Sequence, residues 1–320
     1  MDRRSILNAI RGVNRATNAP VPTAPVPNME PVAEEVPEVI RDLQEEFRAH
    51  PSRLPLGGAI RGKSTPWEIH DTEELFLANS KKYPGKMAYS DKDIVYDFNS
   101  YGYRSAEPFT GPPSPSIVYM GCSFTEGVGL PVKDIWPTLL HNKIEEHMGC
   151  SYAHHNLGVG GASNDSIARR ALAVGMLNPV LVVILYTFLY RREYISIPGG
   201  VIQSAFAPWN PQATSILEQG DANNDAYNFL QNKSLIELSA QSGDWLLMST
   251  VADSEASTEK GILADQSFFV RTDPWAGSIP RARDMAHPGS DFHVKLAEEF
   301  FTQLLGNGTL KSMQEVVKGG

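Results

Sequence analysis

Apolar positions from residue 114 onward alternate between short β-rich runs and longer segments in which apolar residues recur at helical spacing. Runs with almost no polar interruption, such as 179–186, are typical of strands covered on both faces. Predicted strands cover residues 116–120, 152–156, 179–186, 245–251 and 267–270. Predicted helices cover residues 134–148, 163–176, 222–240 and 292–305. Strands that alternate with helices predict an α/β domain with a mostly parallel sheet between two helical layers.

Residues 1–50 have a different pattern and are predicted to form an arm of two short amphipathic helices joined by a linker. The linker, residues 18–32, is rich in Pro, Ala and Val, which favours an extended chain. Such an arm suits docking onto a protein partner; the alternative is a frayed tail with one helix packed on the main domain. The helical apolar positions are Ile6, Leu7, Ile10, Val13, Val36, Ile40, Leu43 and Phe47.

Breaks in these patterns set the remaining boundaries. Residues 51–113 are predicted to be a loop-rich lead-in with a short strand at 94–98, and residues 114–310 the main domain. Within that domain, residues 193–222 are rich in Pro and Gly and are predicted to be a long loop insertion. Long loops in compact domains are often functional. Residues 311–320 are predicted to be a C-terminal tail.

Composition and charge narrow the class of protein. Of the 320 residues, 42% are hydrophobic and 20% are charged, which is typical of a soluble globular chain. The net charge of -9 argues against nucleic-acid binding and against attraction to anionic membranes. No apolar run approaches the roughly 20 residues that span a bilayer, and no signal-peptide core is present. Two cysteines predict no disulfide framework, so the expected location is the cytoplasm or an assembly such as a virion.

A serine follows the first predicted strand of the main domain, in the segment 121–127, GCSFTEG. Ligands of open α/β sheets bind at the carboxyl ends of the strands, and flanking glycines let a substrate approach closely. This position favours Ser123 as a nucleophile, although a Gly-x-Ser segment also fits a simple capped turn.

A glycine-rich turn follows the second predicted strand, in the segment 156–165, NLGVGGASND. Backbone N–H groups of such a turn can point at a developing oxyanion, and each donor of this kind is worth roughly 3 kcal/mol. The segment has neither the lysine nor the spacing of a phosphate-binding P-loop. A tight turn without chemistry is the alternative.

Asp284 and His287 lie three residues apart, directly before the last predicted helix. A carboxylate in this position can hydrogen-bond to the imidazole, fix its tautomer and stabilise its cation. Each of the three segments alone is a weak signal. Their combination and their order along the chain become informative through a resemblance to a known family.

The same segments resemble the SGNH/GDSL hydrolase family. Its first block, Gly-Asp-Ser-x-(Thr/Ser)-x-Gly, resembles residues 121–127, with Cys122 in place of Asp. Its last block, Asp-x-x-His-Pro followed by a second histidine, resembles residues 284–288 and His293. Asn156 and Gly161 match the second block. Many bacterial and phage members also have a segment before the first block, Tyr-x-x-Asn-Ser-x-Gly-(Tyr/Phe)-Arg, which residues 96–104 resemble. The resemblance extends over about residues 94–305 and implies a flavodoxin-like three-layer α/β/α fold.

The resemblance implies an ester hydrolase with no cofactor and no metal. Ser123 would attack the ester carbonyl, His287 would take its proton, and Asp284 would orient His287. The backbone N–H groups of Ser123 and Gly161 would hold the oxyanion. The expected substrate is a small-molecule or carbohydrate ester, since acetyl groups on polysaccharide are the commonest theme among bacterial and phage members.

One block departs from the family. Its third block, Gly-x-Asn-Asp, supplies an oxyanion donor from the Asn, and Phe188 stands at that position here. Losing one such donor costs roughly 100-fold in rate or more. Asn164 or Thr187 could supply a substitute. The competing hypothesis is therefore a catalytically degenerate domain, kept as a structural or binding component of a larger assembly such as a phage virion and docked by residues 1–50.

Other residues with chemical potential have less support. Cys122 is predicted to point into the sheet, which disfavours it as the nucleophile, and Glu126 occupies a variable position of the first block. Arg191 and Arg192 could bind an anionic substrate or be solvated surface. Trp209 and Trp275 could stack on a sugar ring or pack in the interior. Four histidines without zinc-site spacing are His141, His147, His154 and His155.

Overall fold

The computed structural model describes residue 57 and residues 60–108, 114–193, 222–251 and 280–319, which belong to one compact unit. The predicted arm at 1–50, the predicted strand at 267–270, and Trp209 and Trp275 lie outside the described residues. So do residues 194–221 of the predicted insertion. Within the described ranges, no helix combines the length and the apolar character that crossing a bilayer requires.

Six strands and seven α-helices make up the described part of the chain. The strands are β1 (Lys63–Thr65), β2 (Tyr96–Phe98), β3 (Ser116–Gly121), β4 (Ala153–Gly158), β5 (Pro179–Tyr186) and β6 (Leu246–Val251). The α-helices are α1 (Glu73–Lys82), α2 (Ser123–Glu126), α3 (Trp136–Met148), α4 (Asn164–Ala171), α5 (Ala222–Gly243), α6 (Ser290–Gly306) and α7 (Thr309–Gly319). Two 3₁₀ turns lie at Val132–Asp134 and Val174–Leu177.

Four of the strands form a parallel sheet in the order β4-β3-β5-β6. Strand β3 pairs with β4 and β5, and β5 pairs with β6, all in parallel. This is the strand order of a flavodoxin-like sheet, with the order reversing between β3 and β5. The reversal opens a crevice at the carboxyl ends of these strands, which is where Ser123 lies. The predicted fold class is confirmed for the described residues.

Alternate residues of the strands pack against different helical layers, because successive side chains of a strand point to opposite faces. On one face, Val118 and Met120 of β3 pack against α4 and α5. On the other, Ile117 and Tyr119 pack against α3, α6 and α7. All six residues of β3 are buried, which explains the uninterrupted apolar run. The described residues therefore form three layers, with a large apolar cluster on each side of the sheet.

Helices α1 and α7 lie where the sequence predicted no helix. Helix α1 was not predicted, because its apolar residues do not form a clear stripe; it is set instead by the Thr72 side chain, which accepts from Leu75 N. Residues 311–320, predicted as a tail, fall almost wholly within helix α7. Leu310 and Met313 of that helix are buried against the core, which the sparse apolar spacing of a short terminal segment did not indicate.

The lead-in is fixed to the main domain by buried arginines. The guanidinium of Arg283 forms an ion pair with Asp71, with 2.7 Å between Nη2 and Oδ2 and both side chains fully buried. Arg104 donates to the carbonyl oxygens of Gly127 and Leu130, each at 2.8 Å. Breaking a buried pair of this kind costs about 3–5 kcal/mol, since one charge is left without a partner. The lead-in is therefore an integral wall of the domain.

Candidate active site

Ser123 begins α2, directly after β3 and at the carboxyl edge of the sheet. The Cys122 carbonyl accepts the N–H groups of Thr125 at 2.9 Å and Glu126 at 3.0 Å, which closes the turn. Cys122 itself is fully buried in the apolar core, as predicted, so its thiol does not reach the crevice. The sharp change from strand to helix thus presents Ser123 and not its neighbour.

Asp284 and His287 form a hydrogen-bonded dyad on the loop before α6. His287 Nδ1 lies 2.5 Å from Asp284 Oδ2, and Asp284 Oδ1 accepts the His287 backbone N–H at 3.0 Å. Met285 between them has a φ of 59°, in the left-handed region, which brings the two side chains to the same side. Because an ionised carboxylate only accepts, Nδ1 carries the proton and Nε2 is left as the basic nitrogen.

The dyad is anchored to elements far away in sequence. Asn79 of α1 donates its side-chain N–H to the Asp284 carbonyl at 2.8 Å. The Arg283 N–H donates to the Gly129 carbonyl at 2.9 Å, which ties the loop to the segment after α2. Since Asp284 is buried and held at both its carboxylate and its carbonyl, the orientation of His287 is set by the fold.

Ser123 and His287 line one cavity of about 490 Å³ at this edge of the sheet. Among the hydrogen bonds of the described residues, none joins the Ser123 hydroxyl directly to the His287 ring. Catalytic hydrogen bonds are often long before substrate binds and tighten in the complex. The complete lining consists of His70, Ser123, Phe124, Gly161, Phe188, Tyr190, Arg191, Asp284, Ala286 and His287.

Gly161 lies in the turn that follows β4 and also lines this cavity. Its φ of 72° is in the left-handed region, which glycine adopts at little cost. The Ala162 N–H donates to the Val159 carbonyl at 3.1 Å, and the Ser163 side chain caps α4 by accepting from Ser166 N. The turn therefore brings Gly161 to the same cavity as the N-terminus of α2.

Asn164 and Thr187, the candidate substitutes for the third-block donor, hydrogen-bond to each other. The Asn164 side chain donates to the Thr187 carbonyl at 3.1 Å and accepts the Thr187 N–H at 2.9 Å. Both residues are buried, and neither lines the cavity. Asn164 instead connects the start of α4 to the end of β5, a role that sequence order could not distinguish from catalysis.

Phe188 occupies the third-block position and forms an apolar wall of the cavity. Its ring stacks on Tyr190 with 5.5 Å between centroids and meets Phe124 edge-on at 6.5 Å. The guanidinium of Arg191 lies 4.8 Å from the Phe188 ring centroid. Where the family pattern has a hydrogen-bond donor, this chain has an aromatic cluster covered by a cation.

His70 is a cavity residue that the sequence analysis did not single out. Burial, followed by the neighbouring His287 and Arg191, lowers the pKa of His70, which favours its neutral ring. A neutral imidazole has one donor and one acceptor nitrogen. No signal identified it, because it lies in a loop of the lead-in more than fifty residues before Ser123.

The two neighbouring arginines have different surroundings. Arg191 is nearly buried and lines the cavity. Arg192 forms an ion pair with Asp225 of α5, at 2.8 Å, and does not line the cavity. Of the two residues considered for an anionic substrate, only Arg191 is therefore close to Ser123 and His287.

The remaining histidines are packed in the interior or exposed on a helix. His293 accepts the Trp136 N–H at 3.0 Å, and burial lowers its pKa to about 3. His141 accepts or donates to the Tyr119 hydroxyl at 3.2 Å, and its ring lies 4.7 Å from that of His154. In the described ranges, no group of three or more His, Cys, Asp or Glu side chains is arranged to hold a metal ion.

No family model and no curated protein matches the sequence. Solved structures similar to the chain include the crystal structure of TesA, 15% identical, with 59% of this chain and 97% of that chain covered and a TM-score of 0.41. A lipase, Lip_vut3 from a goat rumen metagenome, is 14% identical, with coverages of 59% and 96% and a TM-score of 0.41. The SGNH-hydrolase family esterase AlinE4 is 18% identical, with coverages of 44% and 60% and a TM-score of 0.29. At such identities and TM-scores these similarities carry no argument about activity, which depends on the geometry of the site.

Proposed function

We propose that the chain is a serine ester hydrolase of the SGNH/GDSL type. One observation carries the proposal: His287, held through Nδ1 by Asp284, lines the same cavity as Ser123. This arrangement leaves Nε2 of the ring as the base that a serine nucleophile requires.

In the proposed mechanism, Ser123 Oγ attacks the ester carbonyl carbon while His287 Nε2 accepts the hydroxyl proton. The bond to the alcohol then breaks, and His287 gives the proton to the departing oxygen. A water molecule, deprotonated by His287, adds to the acyl group on Ser123. The acyl–oxygen bond then breaks and His287 returns the proton to Ser123 Oγ, which releases the acid and restores the free serine. The Ser123 and Gly161 N–H groups stabilise the oxyanion in both steps.

The proposed substrate is a short acyl ester, with an acetyl group on a carbohydrate as the first candidate. The cavity of about 490 Å³ has an aromatic wall of Phe124, Phe188 and Tyr190. Aromatic faces of this kind suit a small apolar acyl group or the face of a sugar ring. The cavity volume is that of an ordinary small-molecule site.

A second candidate function is a binding or structural component of a larger assembly, such as a virion. The observation that favours it is Phe188, which removes a family donor from the oxyanion side of the cavity. In that case residues 1–50 would be the docking element, and the Asp284–His287 dyad would be a remnant of the ancestral site.

The deciding experiment compares hydrolysis of nitrophenyl acetate by the full-length chain and by Ser123→Ala. We expect the variant to fall to background, because losing the nucleophile of such a triad costs about 10⁶-fold in kcat. Cys122→Ala is the matched control and should retain turnover, since Cys122 is buried in the core. Equal turnover in Ser123→Ala would discard the site. A folded wild type without activity on this ester or on acetylated oligosaccharides would favour the assembly component.

A further inference from the structure

Glu126 is the last residue of α2, one helical turn after Ser123, and its carboxyl group is buried. The family pattern assigns nothing to this variable position, and a solvated glutamate would be the ordinary expectation for it. A buried carboxyl group requires hydrogen-bond partners, because burial without them is costly. The partners of Glu126 therefore indicate why it is there.

The carboxyl group of Glu126 accepts the backbone N–H of Gly160 through Oε2. Gly160 directly precedes Gly161, the second proposed donor to the oxyanion. Because α2 also supplies the Ser123 N–H, one side chain links the two segments that carry the donors. A parallel link is the Asn156 side chain, which donates to the Thr125 carbonyl at 2.9 Å and accepts the Gly158 N–H at 2.9 Å.

The two segments approach so closely that only glycine fits between them. A Cβ at Gly158 would lie 2.3 Å from Glu126 N. A Cβ at Gly160 would lie 2.6 Å from His70 Cδ2 and 3.1 Å from Glu126 Oε2. The position that a Gly160 side chain would occupy is thus filled by the His70 ring and the Glu126 carboxyl group.

A second buried acid, Glu68, lies beside Glu126 and completes this support. Glu68 Oε1 accepts the His70 N–H at 2.7 Å, which fixes the residue whose ring packs on Gly160. Both carboxyl groups line a small cavity of about 40 Å³ behind the turn. The lead-in thereby contacts the Gly160–Gly161 turn through His70, which lines both this small cavity and the cavity that contains Ser123.

Burial favours the neutral forms of the two acids. Burial and then the neighbouring Glu68 raise the pKa of Glu126 to about 8, and the Gly160 hydrogen bond, Arg104 and Arg170 oppose this rise. Burial raises the pKa of Glu68 to about 7. The hydrogen bond that His70 N donates to Glu68 and the neighbouring His287 oppose this rise in pKa. The Arg104 guanidinium donates to backbone carbonyls and not to these carboxylates.

We propose that Glu126 is a positioning residue of the oxyanion hole, because its carboxyl group ties the Gly160–Gly161 turn to the helix that carries Ser123. This inference rests on the proposed function, since it requires the Ser123 and Gly161 N–H groups to act on one oxyanion. Ionising Glu126 alone strengthens the hydrogen bond from Gly160 N–H, but ionising Glu68 as well places two negative charges side by side, and their repulsion opposes the link.

The test measures kcat and KM between about pH 6 and pH 9.5 for wild type, Glu126→Gln and Glu126→Ala. Glu126→Ala should lower kcat about tenfold with little change in KM, because misplacing an oxyanion donor weakens transition-state binding. Glu126→Gln keeps an oxygen that accepts from Gly160 N–H and cannot ionise. It should restore kcat and remove the fall in activity above about pH 8 that we expect of the wild type.

Two further variants separate positioning from general charge effects. Glu68→Gln should also weaken the alkaline fall, because Glu126 then ionises without a charged neighbour. Glu146→Gln, which changes an exposed glutamate of α3, should keep the wild-type profile. Thermal melting of every variant in the same buffers shows whether a loss of activity is caused by unfolding of the protein.

The outcomes distinguish this inference from the proposed function. Wild-type kcat and pH profile in both Glu126 variants, with Ser123→Ala inactive, would overturn the positioning role and leave the hydrolase intact. If the folded wild type is inactive, the proposed function fails. The amide resonances of Gly160 and Gly161, followed by NMR across the same pH range, then still decide whether Glu126 holds the turn: unchanged resonances in Glu126→Ala would overturn it.

Discussion

The two halves of the cavity are built differently. On the base side, Asp284 accepts three hydrogen bonds at its carboxylate, donated by Ala286 N, His287 N and His287 Nδ1. On the oxyanion side, the position of a family donor is taken by Phe188, and the nearby amide of Asn164 is occupied by Thr187. In the proposed mechanism, proton transfer and charge stabilisation are therefore assigned to separate parts of the fold, so a change in one need not alter the other.

Substitutions on the base side of the cavity should lower kcat more than substitutions on the oxyanion side. Asp284→Asn places an amide where a carboxylate accepts from Nδ1, so the ring turns to the wrong tautomer and Nε2 no longer serves as base. We expect kcat to fall by about 10⁴-fold. Hydrolysis of nitrophenyl acetate measures it, with Asp291→Asn, an exposed residue in the first turn of α6, as the control. A loss below about tenfold would mean that Asp284 is not the orienting acid.

The oxyanion side should gain from a restored donor. Phe188→Asn puts an amide at the position that the family pattern uses, and we expect kcat to rise by about 10- to 100-fold. Phe188→Ala enlarges the cavity without adding a donor. Comparing the two variants therefore distinguishes the effect of a hydrogen bond from the effect of a larger cavity. Equal rates in the two variants would show that the aromatic wall, and not the missing donor, sets turnover.

The smallest expected effect is on the free energy of unfolding and comes from the buried His293. His293 accepts from Trp136 N only when its Nδ1 is unprotonated, and burial lowers its pKa from 6.5 to about 3. The unfolded chain takes up a proton below about pH 6.5 that the folded chain refuses, so stability is complete above that pH and falls towards pH 3. Between pH 6.5 and about pH 5 we expect a loss of about 2 kcal/mol from this residue.

Urea unfolding at these two pH values measures the loss. His293→Gln should reduce the change in the free energy of unfolding between these pH values. His147→Gln, on the exposed face of α3, should leave that change as it is in the wild type. An unaltered slope in His293→Gln would assign the acid sensitivity to other buried histidines, of which His154 has a pKa lowered to about 3 by burial.

Most of the fold was predictable from the chain, because its central strands are uninterrupted apolar runs. The limits of β5 match the predicted 179–186, and its neighbour β3 differs only by the added Gly121. Helix α4 was predicted to extend to residue 176 but ends at Ala171, and a 3₁₀ turn follows. Periodicity alone does not distinguish these two helix types, since apolar spacing continues through both.

The candidate site was predictable where a local motif carries it and not where packing does. Ser123, Asp284 and His287 stand in short segments with recognisable spacing, and they remain proposals for catalysis. His70 and Glu126 became candidates only through contacts across the fold, with Gly160 as the shared neighbour. The carboxyl group of Glu126 looks like any helix-end glutamate until its burial is known.

The Arg283–Asp71 ion pair sets a limit on how the protein can be divided. Arg283 directly precedes Asp284, so the loop that bears the base is fixed to a residue located over two hundred positions earlier. A fragment that starts at residue 114 would bury a guanidinium with no counter-ion beside the base and would also lack Asn79 and Arg104. Such a fragment is expected to aggregate or to fold without an ordered His287. A fragment expected to fold with an ordered His287 therefore has to include Asp71, although all three proposed catalytic residues lie after residue 120.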